Sequence, residues 1–209
     1  IYNILKTNGY YFANITSSKS LDDELNTIDL KIDVELGEKA KIKKIVFLGE
    51  KIFKDKRLKE VIVSEEHKFW KFISKNVYIN QELINLDKRL LSNYFKNNGY
   101  FKVKIENSFV EFDKNSNFNL IFNITPGKKY FFNDLVLSLP DDYRKDDFKK
   151  IEKLFSKLKN EKYSINKVNT ILKEIDIIAS QKLYDFISAE VEETVVENNK
   201  INFDFKVKD

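Results

Sequence analysis

The sequence predicts an α+β protein made of tandem small modules of βααββ order, each a three-stranded mixed sheet with two helices packed on one face. Three observations predict it. A short string recurs, with Asn8-Gly9-Tyr10 returning as Asn98-Gly99-Tyr100. Each copy follows an apolar stretch at helical spacing and precedes residues that alternate between apolar and polar, the pattern of a strand with one buried face. The copies stand about 85–90 residues apart, longer than a solenoid rung, so each unit is a small domain.

The first copy begins inside a helix that ends at Gly9. Tyr11, Ala13 and Ile15 then alternate, as do Ile28, Leu30, Ile32 and Val34, which predicts two strands sharing a buried face and closing at Gly37. This copy lacks an opening strand and a first helix.

The second copy is complete. Ile42 to Leu48 reads as the opening strand, closed by Gly49. Asp55 to Val63 reads as a short helix with Leu58, Val61 and Ile62 on one face. A loop passes through His67, Phe69, Trp70 and Phe72, and Asn80 is placed to cap a helix over Gln81 to Lys96. The predicted core stripe of that helix is Leu83, Leu86, Leu90, Leu91 and Tyr94. Gly99 stops it, because glycine accepts the left-handed backbone that follows a helix end. Two strands follow, about Phe101–Phe112 and Asn117–Ile124, joined through Asp113 to Ser116 and ended by Pro126-Gly127.

The third copy repeats the order with a degenerate signature. Tyr130 to Leu139 is its opening strand, and Asp142 to Leu158 its first helix, with Phe148, Ile151, Leu154 and Phe155 on one stripe. Ser164 caps a second helix carrying Val168, Ile171, Leu172, Ile175 and Ile178. Asp185-Phe186 stands in place of Gly-Tyr, and the closing strands are Ile187–Val195 and Lys200–Val207.

Two consecutive strands at the end of a unit form a hairpin, and the opening strand adds beside the last one. The strand after the second helix is then outermost, and an open edge accepts another chain by β-augmentation. In the second copy the candidate partner-binding strand is Phe101, Lys102, Val103, Lys104, Ile105, Glu106, Asn107, Ser108 and Phe109. Phe101, Val103 and Ile105 point inward in this reading, and Lys102, Lys104 and Glu106 outward. The alternation slips at Asn107-Ser108, as a bulge would make it.

Composition narrows the function. The 209 residues carry 37 basic and 33 acidic side chains, a net charge of +4, and no cysteine. The near balance gives no concentrated basic face for nucleic acid. Without cysteine there is no disulfide, thiolate metal site or thiol nucleophile. No run reaches the ~18 apolar residues of a membrane-spanning helix. No signal peptide is visible and residue 1 is not Met, so the chain reads as a piece of something longer. His67, the single histidine, has no second His or Cys to join it as a ligand. The acidic runs Asp22-Asp23-Glu24 and Glu190 with Glu192-Glu193 lack calcium-loop spacing, and no Gly-rich phosphate loop is present. The expectation is a binding scaffold with no cofactor, and not an enzyme.

In these residues the sequence resembles the POTRA family, and among its hosts the BamA-like outer-membrane assembly factors. The resemblance is carried by Ile42-Lys43-Lys44-Ile45-Val46-Phe47-Leu48-Gly49, Trp70-Lys71-Phe72, Tyr78, Leu83, Asp87, Leu90, Leu91, Tyr94, Asn98-Gly99-Tyr100 and Thr125-Pro126-Gly127. Gly9, Tyr10, Gly49, Trp70, Gly99, Tyr100 and Gly127 are the signature positions. It implies a C-terminal part of a POTRA-like module at 1–38 and complete modules at 39–127 and 128–209, similar to the family's second, third and fourth. It implies a periplasmic place in an outer-membrane protein. The implied partners are unfolded outer-membrane proteins, accessory lipoproteins and the protein's own C-terminal membrane β-barrel, with no nucleic acid and no small molecule. A POTRA region of a related secretion or translocation transporter is the alternative, and a nucleic-acid-binding α/β module a more distant one.

Overall fold

The computed structural model describes residues 1–22, 27–68, 74–113, 117–184 and 188–208. By internal contacts the chain divides into two compact units, Ile1–Leu91 with Ile105–Ile124, and Ser92–Lys104 with Thr125–Asp209.

The chain starts with helix α1 (Tyr2–Thr7) and strands β1 (Asn14–Asp22) and β2 (Thr27–Glu35). A first βααββ run follows: β3 (Lys41–Gly49), α2 (Asp55–Val61), α3 (Gln81–Lys96), β4 (Lys104–Asp113) and β5 (Asn117–Thr125). A second run has β6 (Phe131–Ser138), α4 (Lys149–Leu158), α5 (Ile165–Gln181), β7 (Ser188–Val196) and β8 (Lys200–Lys208). The sheet orders are β3-β5-β4 and β6-β8-β7. In each the opening strand lies parallel to the last strand, so the sheets are mixed as the element order requires.

The last strand of each run is the floor of a core. Phe118, Leu120, Phe122 and Ile124 of β5 are at most 8% exposed, and so are Ile201, Phe203, Phe205 and Val207 of β8. Over β8 lie Phe148, Ile151 and Phe155 from the α4 side and Val168, Ile171, Ile175 and Ile178 from α5. Both helices thus cover one face, as their stripes predict. The matching residues of β2 do not follow. Ile28, Leu30, Ile32 and Val34 are 41 to 64% exposed, because β1 and β2 form a two-stranded sheet that no helix covers among the described residues. The expected buried face is therefore a solvent face along β2, while Ala13 is buried and Tyr11 and Ile15 are half-buried.

Two further expectations are corrected. The buried line of α3 is Ile84, Asp87, Leu91 and Phe95, while Leu83, Leu86, Leu90 and Tyr94 are only half-buried. The helix is rotated from the leucine-based stripe, and a carboxylate sits in the buried line. In the third copy the helix-ending position is Leu183, not Asp185. Leu183 N–H donates to the Ser180 carbonyl (3.3 Å) and Tyr184 N–H to the Ala179 carbonyl (3.1 Å), with Leu183 at φ 58. The same pair of bonds closes α3 at Gly99 (Gly99 to Lys96, Tyr100 to Phe95) and α1 at Gly9 (Gly9 to Lys6, Tyr10 to Leu5). This is the Schellman arrangement. It aligns Tyr10 and Tyr100 with Tyr184. Residues 185–187 lie outside the described residues.

Candidate protein-binding edges

The first βααββ run has two edge strands, and they differ. The far side of β3 is filled. His67 N–H donates to the Ile42 carbonyl (2.7 Å), and Ile45 N–H donates to the Glu66 carboxylate (3.0 Å). Lys51 donates its ammonium to the Phe47 carbonyl (3.0 Å), and Tyr78 bridges Lys41. Glu66 also binds the Lys59 ammonium. Burial alone would raise the Glu66 carboxyl, but Ile45 N–H and Lys59 outweigh it and hold it below the usual range. The cover is anchored from below by Asp87. Its carboxylate, 0% exposed, accepts from Val63 N–H (2.6 Å) and Ser64 N–H (3.3 Å) at the root of the segment. Burial pushes the Asp87 carboxyl up, and those N–H groups hold back part of the rise.

Among the described residues β4 has no such cover. It pairs with β5 on one side and with no strand on the other among the described residues. Lys104, Glu106 and Ser108 are exposed, while Ile105 and Asn107 are half-buried. The strand therefore offers a backbone edge flanked by charged and small polar side chains, which can pair without burying charge.

The structure trims the candidate strand at its start. β4 begins at Lys104, so Phe101, Lys102 and Val103 are not in the ladder. Phe101 turns into an aromatic cluster instead, with ring centroids 5.0 Å from Tyr163 and 5.8 Å from Tyr130. Tyr100 N–H closes the helix cap, and the chain needs these residues to turn before the sheet begins. Lys104 to Phe109 lie in β4, though the Phe109 side chain is outside the described residues.

Gly9 and Gly99 hold the left-handed caps. Gly49 ends β3 at φ 104, where a Cβ would stand 2.0 Å from the Ile124 carbonyl oxygen. Gly127 is a left-handed turn with open space around it. Trp70, Phe69 and Phe72 fall at 69–73, outside the described residues.

Sequence reasoning missed what Gly9 and Gly99 do beyond the cap. The Gly9 carbonyl accepts from Ala40 N–H (2.9 Å), whose own carbonyl accepts from Ile79 N–H (2.9 Å). The Gly99 carbonyl accepts from Tyr130 N–H (2.8 Å), and the Tyr130 carbonyl from Tyr163 N–H (2.9 Å). Lys39 lies over the Tyr10 ring (4.8 Å) and Lys129 over the Tyr100 ring (5.6 Å). Each Gly-Tyr pair is thus a clasp for the strand that opens the next run. The matching Gly37-Glu38-Lys39 and Gly127-Lys128-Lys129 were the available signal.

In the second run, β7 is the outer strand. Glu190 and Glu192 of that acidic run pair with Lys208 and Lys206, and Glu193 accepts a hydrogen bond from the Tyr163 hydroxyl. No group of side chains suited to a metal ion occurs among the described residues.

Comparison with known proteins agrees with this architecture. Residues 40–127 match the POTRA family, described as a surface antigen variable number repeat. The outer membrane protein assembly factor BamA of Buchnera aphidicola subsp. Acyrthosiphon pisum is 27% identical over 173 residues, 79% of this chain and 26% of that protein. BamA of Neisseria meningitidis serogroup B is 23% identical over 150 residues, 72% of this chain and 19% of that protein. The chain thus spans about a quarter or less of the relatives it matches. The crystal structure of Haemophilus influenzae BamA POTRA3-5 superposes with a TM-score of 0.63 at 15% identity, over 99% of this chain and 76% of that one. BamA from Haemophilus ducreyi lacking POTRA domains 1-3 gives 0.58 at 10% identity, over 81% and 29%. These structures share the fold. With its repeated βααββ order and its match to the POTRA family over 40–127, the chain is similar to POTRA segments of BamA proteins.

Proposed function

We propose that this segment is the periplasmic binding scaffold of a BamA-like outer-membrane β-barrel assembly machinery, and that it is not an enzyme. Residues 1–38 are the C-terminal part of one POTRA-like module, and 39–127 and 128–209 are two complete ones. The scaffold docks accessory lipoproteins and unfolded outer-membrane protein clients by β-augmentation on β4, and serves a membrane β-barrel of the same protein. The observation that carries this reading is the contrast between the two edges of one sheet, β3 covered by Glu66 and His67 and β4 uncovered among the described residues. Main-chain pairing is tolerant of sequence, which suits clients of many sequences. Lys104, Ile105, Glu106, Asn107, Ser108 and Phe109 are the contact residues. Capture of unfolded outer-membrane protein segments by the chain and by Lys104→Pro tests it, with circular dichroism as the folding control. Proline removes an N–H from the start of the strand, so a folded variant is expected to bind less, and a folded variant with full binding would contradict the reading.

A further inference from the structure

The two βααββ runs treat the free side of their opening strands differently. Along β3, residues Glu66 and His67 of the long α2–α3 connection satisfy Ile45 N–H and the Ile42 carbonyl. The α4–α5 connection is shorter. Asn160 N–H and the Glu161 carbonyl bond Phe132 (both 2.9 Å), Lys162 bridges Phe131, and the cover stops there. From Leu135 to Ser138, β6 has β8 on one side and no strand on the other among the described residues.

Leu135 and Leu137 stand where Ile45 and Phe47 stand. Leu135 is opposite Phe203 and Leu137 opposite Phe205, as Ile45 is opposite Leu120 and Phe47 opposite Phe122. In a parallel ladder alternate residues turn both backbone groups the same way. Ile45 turns its N–H outward to Glu66, so Leu135 turns its own outward as well. Beside this edge runs a groove made of two adjoining cavities of about 330 and 240 Å³. Val136 and Leu139 line it on the strand side, and Phe148 and Phe155 on the helix side. Lys159 lies at one end, in an exposed ion pair with Asp134 (3.0 Å), and Lys145 and Glu152 at the other.

We propose that this edge and groove bind an extended acidic and apolar segment of a partner protein, which closes β6 at Leu135 in the way that Glu66 closes β3 at Ile45. The chemistry of the occupant is read from the covered edge. A carboxylate accepts Leu135 N–H and meets Lys159, as Glu66 accepts Ile45 N–H and meets Lys59. Apolar side chains beside it enter the groove against Phe148 and Phe155. Native sheets blunt their edges with loops and charge, and β6 keeps its central edge open beside apolar walls. This surface lies on a different strand from β4.

The test uses the whole 209-residue chain, labelled with ¹⁵N, and a synthetic peptide with the sequence of residues 61–68 of this chain. Millimolar peptide is expected to shift the amides of Leu135 to Ser138 and of α4. The peptide with Glu66→Gln and the protein with Lys159→Gln are each expected to bind about fivefold more weakly. Lys104→Pro, once shown to be folded, is expected to bind the peptide as the parent does. The proposal is overturned by the absence of shifts in β6, by shifts on β3 or β4 instead, by affinity indifferent to both Gln changes, or by β6 shifts that follow protein concentration without peptide, which would assign the groove to a second copy.

Discussion

Leu183 holds a left-handed backbone at φ 58 with its side chain 90% exposed, in the position that Gly9 and Gly99 occupy in the other copies. A β-carbon costs about 1–2 kcal/mol in that conformation, and an exposed leucine returns no burial. Leu183→Gly is therefore expected to stabilise the protein by about 0.5–1 kcal/mol after the unfolded-state entropy of glycine is counted, read by chemical denaturation. A loss of stability would show that Leu183 makes a contact the exposed conformation does not. The converse change, Gly99→Val, is expected to cost about 1–2 kcal/mol, and an unchanged unfolding midpoint would mean the cap is misassigned. Asp87 makes the third residue-scale prediction. Asp87→Ala leaves Val63 and Ser64 N–H groups without an acceptor, at a cost of about 1–3 kcal/mol. Its pKa is raised by burial, so the folded state binds the proton more readily than the unfolded one. Stability contributed by this group is then present at low pH and is lost as pH rises above its ordinary value of 3.8 through the raised one. Asp87→Asn keeps an acceptor oxygen and removes the titration. The stability of the parent relative to Asp87→Asn is expected to fall across that window, and a constant difference would contradict it.

At the scale of elements, α3 shows what periodicity can and cannot deliver. Its limits were legible, with Asn80 Oδ1 accepting Leu83 N–H (3.0 Å) at the start and Gly99 at the end. Its rotation was not. Two neighbouring stripes compete, and the leucine-rich one looks better because the other contains Asp87. Only a partner distant in sequence, the turn at Val63-Ser64, makes the carboxylate acceptable in the buried line. The candidate strand was similarly legible in kind and mistaken at its start, since alternation continues from Phe101 into β4 although Phe101 packs among Tyr130 and Tyr163. The cover on β3 carried no local signal at all. Glu66→Ala is expected to free Ile45 N–H and speed its hydrogen exchange about tenfold, with little change at the opposite strand. Because the Glu66 pKa is depressed, its contribution is present above the unfolded value of 4.5 and is lost as pH falls through the lower folded one. Unchanged exchange in Glu66→Ala would mean another group closes that edge.

At the scale of the whole chain, the repeat was the legible feature, because order and spacing survive where single residues drift. Gly9-Tyr10 and Gly99-Tyr100 announced the repeat, and the structure adds Leu183-Tyr184 two residues before the expected Asp185-Phe186. The clasps were hidden because Lys39 and Lys129 read as ordinary solvated lysines until their ammonium groups are seen over Tyr10 and Tyr100. The exposed face of β2 was hidden for another reason: alternation reports that a strand can bury one side, not that anything covers it. The central claim is that β4 receives an extended partner by main-chain pairing. Amide hydrogen exchange of the chain with and without an unfolded outer-membrane protein segment tests it most directly. The account predicts slowed exchange at alternate amides of β4 from Lys104 onward, abolished in a folded Lys104→Pro; full binding with β4 exchange unchanged would contradict it.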